Sequence, residues 1–225
     1  MNAESWKAMD SYLEDILCLR DPRLDAALAR CEQAGLPPHG VALNQGRMLQ
    51  IFARMAGARR ILEIGTLGGY SAICMADALP QGGKLVSLES NLRYAEVARE
   101  NIRVAGLSQV VDVVVGDAGA TLDGMVASRV PPFDLIFIDA DKKDNPRYMA
   151  AALALSRDGT VIVGDNIIRG GRLMDEAGRA QPDVLGTRAF LADMARDLRL
   201  TCTALQTVGA KGWDGFSLAI VSKPA

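Results

Sequence analysis

Two short stretches carry residue types that could do chemistry together: Asp139-Ala140-Asp141-Lys142 and Asp165-Asn166, each just after an apolar run, Leu135 to Ile138 and Val161 to Val163. Two carboxylates and an amide carbonyl make an all-oxygen donor set with open positions, which suits Mg2+, Ca2+ or Mn2+ and excludes a structural zinc. The chain has one histidine and four widely spaced cysteines, Cys18, Cys31, Cys74 and Cys202. Any metal bound here is therefore held by oxygen. Taken alone, Asp-x-Asp-Lys reads as a solvated loop and Asp-Asn as a turn. Their placement at the ends of runs that read as adjacent strands favours the metal.

A second constellation lies earlier. Glu63-Ile64-Gly65-Thr66-Leu67-Gly68-Gly69-Tyr70-Ser71 is glycine-rich where a strand should turn into a helix, so a ligand can approach the backbone. Its spacing is not that of the dinucleotide fingerprint, and Glu63 would repel a pyrophosphate. Glu89 follows Gly65 by 24 residues, at a strand end from which a carboxylate accepts both hydroxyls of a ribose. A nucleoside without phosphates and with cationic groups fits both features. S-adenosylmethionine is such a molecule, and Asp117-Ala118, after the next apolar run, is placed to meet its adenine. Glu63, Glu89, Asp117, Asp139 and Asp165 thus put an acidic residue at the end of each of five runs. For any one of them, helix capping is the ordinary alternative.

The elements that must position these residues follow from periodicity. Ile61 to Ile64, Leu85 to Leu88, Val110 to Val115, Leu135 to Ile138 and Val161 to Val163 are short, almost wholly apolar and separated by helical stretches. That pattern predicts a parallel sheet covered on both faces. Leu200 to Gln206 and Phe216 to Val221 are joined by a link too short for a helical crossover, so that pair should be antiparallel. Residues 1–58 read as a helical cap of three helices, and 59–225 as the sheet body of a single domain. In the cap, Trp6, Met9, Leu13, Ile16 and Leu17 share one helix face before Arg20-Asp21-Pro22 stops the helix. That face could cover a pocket or a partner subunit.

Composition narrows the rest. The 225 residues carry a formal charge of −2 and no cationic stripe, which argues against nucleic acid as a partner. No apolar run approaches the ~20 residues a membrane helix needs. The first residues lack a signal-peptide pattern, so a cytoplasmic location is expected, with the cysteines as reduced, buried small hydrophobes.

From Arg60 onward, about three-quarters of the chain resembles the cation-dependent class I O-methyltransferases, the family of catechol and caffeoyl-CoA O-methyltransferases, and is most similar to their small bacterial members. Leu62 to Ser71, Phe137 to Lys142, Gly164-Asp165-Asn166 and Gly212-Trp213-Asp214-Gly215-Phe216 carry the resemblance. It implies a Rossmann-like seven-stranded sheet, mostly parallel with an antiparallel C-terminal strand, and a homodimer. It also implies S-adenosylmethionine as donor, met by Val41, Glu63, Gly65, Leu67, Ser71, Glu89, Asp117, Ala118 and Asp139, and a divalent cation, Mg2+ first, on Asp139, Asp165 and Asn166. Lys142 has the spacing of the family's catalytic lysine, three residues after the first ligand.

There are departures. Catechol O-methyltransferase has a tryptophan where this chain has Asp141, so the aromatic wall of a catechol slot must come from elsewhere. Plant enzymes have a threonine near Val41, and recognition of a CoA ester does not carry over. The 167–182 loop, with Arg169, Arg172 and Arg179, could contact an anionic substrate, and His39 could line the entrance. The expected reaction is methylation of a vicinal dihydroxy phenol ionised by the metal, with Lys142 accepting the proton. A nicotinamide-dependent oxidoreductase or a catalytically silent nucleoside-binding protein would use the same sheet.

Overall fold

Strand Phe133–Ile138 shows why the sheet forms: all six residues are buried, so only a position covered on both faces suits them. The computed structural model describes residues 3–176, 178 and 180–222. Its strands are β1 Arg60–Ile64, β2 Lys84–Glu89, β3 Val111–Val115, β4 Phe133–Ile138, β5 Ser156–Asp165, β6 Leu200–Gly209 and β7 Gly212–Val221. They form one sheet in the order β3-β2-β1-β4-β5-β7-β6, in which β7 alone runs against the direction of the other six. The strand order reverses between β1 and β4, whose carboxyl ends therefore open a crevice.

Helices close both faces: α1 Ala3–Ile16, α2 Pro22–Gln33, α3 Leu43–Met55, α4 Tyr70–Ala76, α5 Leu92–Val104, α6 Ala118–Ala127, α7 Asn145–Ala154 and α8 Pro182–Arg196. Leu24 and Ala27 of α2 and Leu49 and Ala53 of α3 share a core with α4, α5 and Ile61, Leu85, Leu135 and Phe137 of the sheet. On the other face Leu122, Tyr148, Met149 and Phe190 pack on Leu62, Ile64, Ile136 and Ile138. The expected break at Arg20-Asp21-Pro22 is also a start: Asp21 caps α2 by accepting from the Arg23 N–H, and Pro22 takes the first position, where a missing N–H costs nothing.

The apolar residues of the first helix, Met9, Leu13, Ile16 and Leu17, are exposed, and α1 buries Asp10. One expectation is corrected. The cysteines are not all buried hydrophobes, since Cys18 and Cys202 are exposed, Cys31 is half-buried and only Cys74 is buried. Among the described residues no helix is long and apolar enough to cross a membrane.

Candidate active site

The loop from β1 to α4 is built around two carboxylates. Glu63 is fully buried, and both its oxygens accept hydroxyl hydrogen bonds, from Ser71 at 2.5 Å and from Ser87. Burial outweighs these bonds and pushes its pKa up to about 8, with Asp139 and Glu89 adding repulsion. Glu89 ends β2 and holds the loop from the other side, accepting from the Leu67 N–H at 2.8 Å and the Asn91 N–H at 2.9 Å. Gly65 is required where it stands. Its φ is +102°, and a Cβ there would lie 2.2 Å from the Asp139 carbonyl oxygen, so glycine lets the β1 loop close on the end of β4.

Asp139 follows β4 and meets Lys142 on the next turn, with Nζ–Oδ1 at 3.2 Å and the lysine side chain only 7% exposed. A buried ammonium needs a partner, and this carboxylate is the one it has. The backbone around Lys142 is pinned by α8, where a Cβ on Gly186 would sit 2.0 Å from the Lys142 carbonyl oxygen. Asp165 ends β5, buried beside Asp139. Burial and the Asp139 charge push its pKa up to about 7. Its Oδ1 accepts from the Asn166 N–H at 2.8 Å, while the Asn166 amide nitrogen donates to Asp214 Oδ2 at 3.3 Å. That bond orients the amide and leaves its carbonyl oxygen as the acceptor. Asp214 Oδ1 also takes the N–H groups of Ile168, Arg169 and Gly215 at 2.9–3.1 Å, so one side chain organises the whole turn after β5.

Comparison with known proteins can now be set against this geometry. The sequence pattern of the O-methyltransferase family matches residues 20–219. The chain belongs to the O-methyltransferase family. It is 44% identical over 221 residues to a catechol O-methyltransferase of Niastella koreensis, covering 98% of this chain and 100% of that one. A catechol O-methyltransferase of Mycobacterium tuberculosis is 46% identical over 213 residues, covering 95% and 94%. The crystal structure of an O-methyltransferase from Bacillus cereus in complex with SAH superposes with a TM-score of 0.95 at 46% identity, over 98% of this chain and 100% of that chain. The chain is thus an S-adenosylmethionine-dependent O-methyltransferase on a Rossmann-like sheet.

Within this O-methyltransferase, four of the five rim carboxylates come together. Asp139 and Glu89 each act on Glu63, and Asp139 acts on Asp165. Asp117 takes the capping position of α6, accepting from the Ala120 N–H at 2.7 Å, and its cationic neighbour is Arg147. Ala118 and Val41 are buried, and His39 is exposed on the connector before Val41. Asp141 accepts from the Tyr148 hydroxyl at 2.8 Å. Arg169 and Arg172 of the methyltransferase's 167–182 loop share one carboxylate, Asp183, at 2.6 and 3.0 Å; Arg179 lies outside the described residues. Sequence reasoning gave no role to Asp10, Asp214 or Lys211. A signal existed for the last: Gly209-Ala210-Lys211-Gly212 has the two-residue spacing of a tight hairpin.

Proposed function

We propose that this O-methyltransferase transfers the methyl group of S-adenosylmethionine to one hydroxyl of a vicinal dihydroxy aromatic, with a divalent cation on Asp139, Asp165 and Asn166. The observation that carries the reading is the pair of neighbouring buried carboxylates at the ends of β4 and β5 with Lys142 docked on one of them. Among the described residues no three His, Cys, Asp or Glu side chains are arranged to hold a metal, and the set here is two carboxylates and an amide. Its donors are hard oxygens, and the mutual repulsion of Asp139 and Asp165 is what a cation would relieve, so the residues fit Mg2+. When bound, such an ion would favour the ionised form of the acceptor's hydroxyls.

The chain's own residues supply the rest. Glu89 is placed to accept the ribose hydroxyls, and the Gly65–Gly69 turn to pass the donor close to the backbone. Val41, Leu67, Ser71, Asp117 and Ala118 complete the donor's surround, with the buried Glu63 carboxyl behind it. Lys142, held at the reacting end, takes the phenolic proton when it stands as the neutral amine, becoming the ammonium as the methyl group moves from sulfur to oxygen. The relatives named catechol O-methyltransferase support this acceptor class.

The exposed α1 stripe supports a homodimer, and the cysteines, none in a disulfide, support a reducing cytoplasmic setting. The shared core of the 1–58 cap and the 59–225 body supports one domain. The test is a labelled-donor assay on catechol, dihydroxybenzoate and dihydroxycinnamate after dialysis against chelator. Turnover should vanish and return with Mg2+ or Mn2+. Full activity in excess EDTA would remove the metal assignment.

A further inference from the structure

The β6–β7 hairpin reaches beyond the rest of the sheet. β7 pairs with β5 only as far as Phe216, opposite Asp165, whereas the β6–β7 ladder continues to Gly209 opposite Gly212. At about 3.4 Å per residue, Gly212 to Gly215 carry the tip roughly 14 Å past Asp165, on the side of the sheet where the parallel strands have their carboxyl ends. The turn after β5 runs along this overhang, with the Ile167 N–H donating to the Gly215 carbonyl at 3.1 Å and the Gly170 N–H to the Trp213 carbonyl at 2.8 Å. From the other side Asp10 of α1 clasps the tip. Its Oδ2 accepts from the Ala210 N–H at 2.6 Å, and its Oδ1 accepts from the Asn44 side chain at 3.1 Å. The tip is therefore fixed, and it carries Lys211.

Lys211 differs from the other cations near the site. Lys142 is paired with Asp139, Lys143 with Asp141 and Asp144, and Arg169 and Arg172 with Asp183. Lys211 has no hydrogen-bond or ion-pair partner among the described residues, yet its ammonium lies close enough to Asp139 and Asp165 to be acted on by both. Crowding by protein lowers its pKa, which the Asp139 and Asp165 carboxylates at longer range oppose, although the residue is exposed as a whole.

Resting on the acceptor reading above, we propose that Lys211 is a specificity residue whose ammonium receives an anionic substituent, a carboxylate, on the ring of the dihydroxy acceptor. With the diol at Asp139 and Asp165, the ring's opposite end points out of the crevice, where the hairpin tip supplies an unneutralised cation. Such a site favours dihydroxybenzoate- and dihydroxycinnamate-type acids over catechols bearing an amine, which Lys211 would repel.

The test compares 3,4-dihydroxybenzoate with 3,4-dihydroxybenzamide, which has the same shape without the charge, in the Mg2+-loaded wild type, Lys211→Gln and Lys211→Arg. The ratio of kcat/KM for acid over amide should fall about 5- to 10-fold in Lys211→Gln, mostly through KM, and recover in Lys211→Arg. The wild-type ratio should also shrink as ionic strength rises. Kd for both compounds, followed by Trp213 fluorescence, gives the same ratio without turnover. If the wild type methylated neither compound while its Kd ratio depended on Lys211, the acceptor reading would fall and the anion site would stand. Equal ratios in wild type and Lys211→Gln, by rate and by binding, would overturn the proposal.

Discussion

At the scale of single residues, Lys142 and Glu63 are both buried ionisable groups with opposite assignments. Lys142 on Asp139 is assigned as the base, and Lys142→Met keeps the stem while removing the ammonium. A general base contributes ~10²–10⁴-fold, so kcat for catechol should fall on that scale near neutral pH. Raising the pH, or using a nitrocatechol that is already ionised, should restore much of the rate relative to wild type. A deficit indifferent to both would rule out the base and leave only positioning. Glu63 is different, because burial raises its folded pKa from 4.5 to about 8 against the pull of Ser71 and Ser87. Between those values the folded chain binds more protons than the unfolded one, so stability falls as pH rises through the window, by an amount on the order of a few kcal/mol. Glu63→Gln should flatten that decline in denaturant titrations run from pH 5 to 8. An identical slope in the mutant would mean that Glu63 is already ionised in the fold.

At the scale of elements, what was legible in the sequence depended on how local its cause is. The apolar runs of β1, β2 and β4 are dictated by burial on both faces, and their ends fall within a residue or two of the runs themselves. The first half of β5, Ser156-Arg157-Asp158-Gly159-Thr160, is polar and was invisible to that criterion. It pairs because Arg157 meets the buried Asp134, and Thr160 bonds the Phe133 carbonyl. The metal-ligand candidates were legible because each ends such a run. Asp214 was not, since its work is to collect backbone N–H groups from a loop 45 residues earlier. Asp214→Ala should leave those donors and the Asn166 amide without their acceptor. Its expected effect is a weakened Mg2+ response, with the half-saturating concentration raised about 10-fold or more, and little change in S-adenosylmethionine affinity by calorimetry. Loss of donor binding with an unchanged Mg2+ requirement would show that the Asp214 network serves the other half of the site.

At the scale of the whole molecule, α1 links two surfaces that the sequence could not connect. Met9, Leu13, Ile16 and Leu17 are presented to the outside, and at the edge of that stripe Asp10, one turn before Leu13, reaches a backbone N–H 200 residues away. An apolar stripe of this kind is costly to leave in water, at roughly 1.5–3 kcal/mol for each large side chain that could be covered. A second copy of the chain is the expected cover, and the proposed dimer would then hold α1, α1 would hold Asp10, and Asp10 would hold the hairpin tip that carries Lys211. The double variant Leu13→Asp with Ile16→Asp puts charge into the exposed stripe. By light scattering it should be a monomer at concentrations where the wild type is a dimer. If the chain of contacts is as described, the monomer should keep its S-adenosylmethionine affinity, because Glu63, Gly65 and Glu89 are held within the body. Its KM for the acceptor should rise, because the tip loses the helix that clasps it. A dimer that survives both charges would place the interface elsewhere. A monomer with unchanged acceptor KM would show instead that Asp10 anchors the hairpin without help from a partner.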